Sequence, residues 1–206
     1  MSVARNTLVQ SSLTLGSRIL GMVRDILLIA KIGAGPVGDA WATAQQFPNL
    51  FRRIFAEGAF ASAFVPTYAR TLEAEGAEAA RDVAQEALRV LFAATAALTI
   101  LAQVFMQWVL LLIHGGQADD PESYGLAVLL TRITMPYLTF MAIAALLSGV
   151  LNSAERFILS AGAPTLLNLS LIPAAFVAPD AKGTALAAAL AYFVAGVLQA
   201  GALWWG

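Results

Sequence analysis

Six apolar stretches, each long enough to cross a lipid bilayer, run through this chain of 206 residues. A membrane-spanning helix needs ~20 mostly apolar residues, because in hydrocarbon every backbone N–H and C=O must be paired within the segment itself. The stretches cover residues 7–32, 37–65, 84–113, 124–151, 157–178 and 183–205. Turn-forming sequences separate them: Gly33-Ala34-Gly35-Pro36, Pro66 through Asp82, Gly115 to Glu122, Asn152 to Arg156, and Pro179 to Gly183. Strict alternation is absent, and the runs far exceed the ~10-residue strands of an outer-membrane barrel. The expected fold is therefore all-α and polytopic, a six-helix transmembrane bundle. Composition agrees, with 59% hydrophobic residues, 12% charged residues and a mean hydropathy of +0.75, where soluble domains carry roughly 25% charge.

Several function classes drop out at this level. A net charge of −1 without Lys-rich runs gives nucleic acid no electrostatic footprint. There is no cysteine and a single histidine, His114, so thiol catalysis, Cys-ligated zinc and a His-based metal site have no ligands to draw on. No Ser/His/Asp or paired-carboxylate constellation supports an enzyme, and no cofactor motif is present; Gly33, Gly35 and Gly38 read as a turn. The start, MSVARNTLVQSSLTLGSRIL, lacks the uninterrupted apolar core of a signal peptide and reads as retained in the mature protein.

Orientation follows from Lys and Arg in the short connections. With the N-terminus in the cytoplasm, Arg5, Arg70, Arg81 and Arg156 fall inside and Lys31 and Lys182 outside. The 66–82 connection, with Arg70, Glu73, Glu75, Glu78, Arg81 and Asp82, reads as a solvated cytoplasmic helical hairpin. Trp204 and Trp205 close the last stretch where an interfacial aromatic belt would lie. Stretches three to six look ordinary, with Arg89 and Arg132 near enough to their ends to snorkel.

The first two stretches are different. Between them they carry Arg18, Arg24, Asp25, Asp39, Arg52, Arg53 and Glu57, and each ionisable group at mid-bilayer costs a few kcal/mol on insertion scales. At 100° per residue, Thr14, Ser17, Arg18, Gly21, Arg24 and Asp25 share one stripe about 120° wide. Asp39, Thr43, Gln46, Arg53 and Glu57 share another, with Asn49 just outside it. Arg52 does not fit, and Pro48 makes phase beyond it unreliable, so periodicity leaves the direction of Arg52 open. Ten of the twelve basic residues are arginine, whose planar fork suits bidentate contact with phosphate or carboxylate. An anionic headgroup is the natural ligand for such a cavity. The bland alternative is that the arginines only pair with Asp25, Asp39 and Glu57. Those acids are also candidates for coupling to an ion gradient or to the membrane potential.

The string Pro48-Asn49-Leu50-Phe51-Arg52-Arg53-Ile54-Phe55-Ala56-Glu57-Gly58-Ala59-Phe60, followed by Ala63-Phe64-Val65-Pro66, resembles the MurJ/MviN family of lipid II flippases. So do Ser17-Arg18-Ile19-Leu20-Gly21 with Arg24-Asp25, Gly33-Ala34-Gly35 followed by Asp39-Ala40, Leu151-Asn152-Ser153 with Arg156-Phe157, and Ala163-Pro164-Thr165-Leu166-Leu167-Asn168. The resemblance covers essentially the whole chain but only the first six of the family's fourteen transmembrane helices. It implies the N-terminal lobe of a multidrug/oligosaccharidyl-lipid/polysaccharide exporter superfold in the bacterial inner membrane, with the C-terminal lobe missing. In that fold two lobes alternate access to a central cavity, and the pyrophosphate and sugar-peptide headgroup of lipid II would cross while its undecaprenyl tail stays among membrane lipids. By the resemblance Arg18, Arg24 and Arg52 would hold the pyrophosphate. Asp39, Asp25 and Glu57 would gate or couple the cycle, and Ser17, Asn49 and Arg53 would support the cavity wall. Two other readings of the charges remain: export of drugs or another lipid-linked polysaccharide, and a non-transporting membrane scaffold.

Overall fold

A computed structural model describes residues 3–56, 59–113, 120–154 and 156–205, with side chains at 3–9, 56, 59 and 61 outside the description. Glu57, one of the expected gating residues, and His114 lie outside the described residues. The described chain is helical without strands: α1 Val3–Ile32, α2 Pro36–Ala56, α3 Ala59–Glu75, α4 Ala77–Ile113, α5 Pro121–Thr134, α6 Tyr137–Ser153, α7 Phe157–Leu171, α8 Ala174–Val177 and α9 Ala181–Trp204.

Glycine and proline set most of the boundaries. Gly33 and Gly35 take φ of 75° and 108°, the left-handed region that only glycine enters without strain, and reverse the chain between α1 and α2. A Cβ on Gly38 would stand 2.4 Å from the Gly33 carbonyl oxygen, so the turn closes only on a bare Cα. Asp120 and Asp180 cap α5 and α9, their carboxylates accepting from the Ser123 and Gly183 backbone N–H groups at 3.5 and 3.1 Å.

The helix pattern departs from six uninterrupted spans. The described parts of the expected second span, 37–65, lie on α2 and α3, on either side of residues 57 and 58, and α2 runs unbroken through Pro48. Pro66, taken from sequence as the end of that span, sits inside α3, which runs on to Glu75; the reversal is made by Gly76 at φ 89°. One missing N–H removes one helical bond, whereas a left-handed residue turns the chain. The 66–82 segment is thus a helical hairpin, as its charge pattern suggests. The fourth and fifth spans are each interrupted by proline, at Pro136 between α5 and α6 and at Pro173 between α7 and α8. Among the described residues four stretches are long and apolar enough to cross a membrane: Ala77–Ile113, Pro121–Ser153, Phe157–Val177 and Ala181–Trp204. Neither α1 nor α2, which carry the charged stripes, is among them.

The core is built around α9. Thr184, Ala185, Ala188, Ala189, Tyr192, Ala195, Gly196, Gln199 and Leu203 are buried on it, and their mostly small side chains let α5, α6, α7 and α8 pack closely. A second cluster holds the hairpin end. There the phenylalanines of the 48–66 string, Phe51, Phe55, Phe60 and Phe64, form a ladder with Tyr68, with successive ring centroids 5.5–6.4 Å apart. Its four-residue spacing within each helix is what brings the rings onto one face.

Arg132 is not near an end, as the sequence reading had it. It is the twelfth residue of the Pro121–Ser153 stretch, about 16 Å along at ~1.5 Å per residue. It is half-buried, its Nε has no hydrogen-bond partner in the structure, and its carbonyl accepts from Gln103 Nε2 of α4 at 2.8 Å. With the 3.4 Å contact between the Thr99 and Thr139 hydroxyls, and Tyr124 bonding the Gln107 carbonyl, this forms a polar seam along α4. The sequence reading, which treated stretches three to six as ordinary, contained no such seam.

Candidate functional site

The polar stripe of α1 divides when its neighbours are in place. Thr14 and Arg18 are exposed, whereas Ser17 is buried and Gly21 and Arg24 turn toward α7. The contact there is Asn168, only 4% exposed. Its amide Nδ2 donates to the Ser17 carbonyl at 2.8 Å and approaches the Ser17 hydroxyl at 3.4 Å, while its Oδ1 accepts from Arg24 Nη1 at 2.9 Å. Gly21 makes room, since a Cβ there would already meet the Asn168 amide at 3.6 Å.

Arg24 is held on its other side by Asp25, through Nε at 2.8 Å and Nη2 at 2.7 Å, with 15% of the Arg24 side chain exposed and 50% of Asp25. These bonds use three of the five guanidinium N–H groups. The fork is thus fixed in orientation, and its two remaining N–H groups can reach an anion. The ion-pair alternative weighed from sequence applies in part: Arg24 and Asp25 do pair. Arg18 and Arg53 are exposed and have no ion-pair partner among the described residues.

Arg52 of α2 is half-buried. Arg52 is engaged in a contact within the fold. Counting ~1.5 Å per residue from the α1–α2 turn, Arg24 lies about 12 Å down α1, Arg18 about 21 Å and Arg52 about 24 Å down α2. The three arginines therefore occupy two adjacent levels of the same helix pair.

The other expected residues fall elsewhere. Asp39 is exposed in the first turn of α2, about 5 Å from its start, where the helix dipole favours a carboxylate. The structure does not bring it to Arg24. Asn49 and Arg53 line a groove of about 500 Å³ between α1 and α2, together with Gln45, Gln46 and Trp41. Thr43, in phase with the α2 stripe, is buried under neighbouring helices. Asn168 was quoted from sequence only as part of a motif and given no role; its signal was a lone carboxamide in an apolar span, which requires a partner.

Comparison with known proteins places this geometry in context. The family model described as Lipid II flippase MurJ matches residues 29–203. A probable lipid II flippase MurJ of Rhizobium tropici is 42% identical over 207 aligned residues, covering 97% of this chain and 38% of that protein. The lipid II flippase MurJ of Burkholderia cenocepacia is 40% identical, over 97% of this chain and 39% of its own length. Among solved structures, a lipid II flippase MurJ in an inward closed conformation superposes with a TM-score of 0.77 at 27% identity, over 95% of this chain and 41% of that one. The chain thus spans about two fifths of the relatives it matches.

Proposed function

The chain belongs to the MurJ family of lipid II flippases, and we propose that it forms the N-terminal lobe of such a transporter, moving lipid II from the cytoplasmic to the periplasmic leaflet of the inner membrane for cell-wall synthesis. The N-terminus faces the cytoplasm in this reading, supported by the arginine excess of the connections that then lie inside. No covalent bond is made or broken. Because the matched relatives are more than twice as long, the activity is that of the assembled protein, in which a C-terminal lobe closes the cavity from the other side.

The observation that carries the reading is Arg24, fixed by Asp25 and Asn168 inside a membrane-embedded bundle with two N–H groups to spare. A charge kept this deep is costly unless a ligand or pathway uses it. Arg18, Arg24 and Arg52 receive the pyrophosphate, whose oxygens match the guanidinium fork. Asp25 orients Arg24 in addition to any gating role. Asp39, at the far end of α2, serves the opening and closing of the lobes or coupling to an ion gradient or the membrane potential; one charge moved through 100 mV is worth ~2.3 kcal/mol.

The test is translocation of labelled lipid II in vesicles containing the complete transporter. Arg18→Ala, Arg24→Ala and Arg52→Ala each cut the rate at least ~10-fold, as expected when a charge-assisted contact worth ~1.5–3 kcal/mol is removed. Unimpaired flipping in all three variants would overturn the proposal.

A further inference from the structure

Below the Gly33–Gly35 turn, α1 and α2 separate and enclose the groove of about 500 Å³, lined by Ile29 and Ile32 of α1, by Gly33 of the turn, and on α2 by residues that include Trp41, Ala42, Gln45, Gln46, Asn49 and Arg53. Its size falls in the ~300–1,000 Å³ range of ligand pockets. None of Arg18, Arg24 or Arg52 lines it. Arg52 and Arg53 are consecutive, so their side chains leave α2 about 100° apart; Arg53 lines this groove and Arg52 does not.

The chemistry of the two surfaces differs accordingly. The arginine site offers donors only, which suits a dense anion. The groove is walled by the carboxamides of Gln45, Gln46 and Asn49, a group that carries both an acceptor and donors, with Gln46 also engaged within the fold, and by one cation at its end. Trp41 forms part of the wall and buries an indole N–H without an acceptor in the structure. Paired donors and acceptors beside an apolar wall fit a neutral ligand rich in hydroxyl and amide groups better than a phosphate. Resting on the flippase reading, we infer that this groove receives the uncharged, hydroxyl- and amide-bearing part of the lipid-linked headgroup, while its pyrophosphate sits on the arginines one helix face away. Gln45 and Gln46 then discriminate among lipid-linked substrates, a role the arginines cannot perform because every such lipid carries the same pyrophosphate.

The experiment measures binding of three lipids to the complete transporter in nanodiscs: lipid II, the same lipid without its peptide, and undecaprenyl pyrophosphate. Gln45→Ala with Gln46→Ala, and separately the groove-filling Ala42→Phe, weaken lipid II about 10-fold and leave undecaprenyl pyrophosphate unchanged, whereas Arg24→Ala weakens all three. A loss that persists with the peptide-free lipid supports the inference, because the sugars are the uncharged part of the headgroup; a loss confined to the full headgroup overturns it. Equal loss for undecaprenyl pyrophosphate, or no loss for any lipid, overturns it while leaving the flippase reading intact. A wild-type transporter that binds none of the three sinks both.

Discussion

Arg24 and Asn168, 144 residues apart in sequence, are joined by a 2.9 Å hydrogen bond between the guanidinium and the amide oxygen. The same amide donates to the Ser17 carbonyl, so one side chain on α7 locks both the position of α1 and the direction of its arginine. Asn168→Ala removes the bonds to both residues and leaves the Arg24 Nη1 without its acceptor. The expected cost is about 1–3 kcal/mol of stability. Binding of undecaprenyl pyrophosphate should weaken as well. A double-mutant cycle with Arg24→Ala should show coupling of at least ~0.5 kcal/mol; strict additivity would show that the contact does not orient the arginine.

The turn between α1 and α2 makes a sharper prediction. A Cβ on Gly38 would stand 2.4 Å from a backbone oxygen, which has no flexible end to move aside. Gly38→Ala should destabilise by roughly 1–3 kcal/mol, the usual range for overpacking. Gly162→Ala, in α7 with nothing within 4 Å of the added Cβ, should be neutral or stabilising by up to ~1 kcal/mol through helix propensity. Denaturation in mixed micelles measures both, and equal effects would refute the steric account.

These two cases show how much the chain discloses before it folds. The turn glycines, the charged stripe of α1 and the hairpin after α3 follow from residue types and a 100° step. Arg52 and Thr43 do not, because phase gives a direction about one helix axis and says nothing of which neighbour covers it. Thr43 lies in the polar stripe yet is buried, and Arg52 lies outside it yet is half-buried and engaged within the fold. Pro66 misleads for a different reason: its ring forbids one hydrogen bond, and the remaining bonds of α3 carry the helix past it. Asn168 and Gln103 were invisible because each is one amide in an apolar run, and only the fold supplies the Ser17, Arg24 or Arg132 group that makes it necessary.

The core contains a second interhelical polar link, on α9. Gln199, 5% exposed, donates through Nε2 to the Ala163 carbonyl at 3.0 Å and accepts at Oε1 from the Tyr137 hydroxyl at 3.3 Å. Tyr137→Phe removes one such bond and should cost about 0.6 kcal/mol, the average for bonds between membrane helices. Gln199→Leu should cost more, roughly 1–3 kcal/mol, because it strands a buried hydroxyl. With Tyr137→Phe already present, Gln199→Leu should cost less than it does alone. If the two losses simply add in thermal or denaturant unfolding, the hydroxyl and the amide are not partners.

Capping gives the last test, which separates contacts that stabilise from contacts that merely exist. Asp180 precedes α9, and its carboxylate accepts from the Gly183 N–H at 3.1 Å while its carbonyl accepts from the Thr184 hydroxyl at 2.9 Å. Asp180→Ala loses the carboxylate bond at the start of the helix around which the core is built and should cost about 0.5–2 kcal/mol, with Asp180→Asn recovering most of it. The Arg89–Glu86 pair is closer to a coincidence of geometry: N and O are 3.6 Å apart, and the side chains are 74% and 70% exposed. Glu86→Gln should therefore change stability by less than ~0.5 kcal/mol. Unfolding of the three variants in one detergent compares them directly. A Glu86→Gln loss equal to that of Asp180→Ala would mean that the α4 surface charge, and not the α9 cap, holds the bundle.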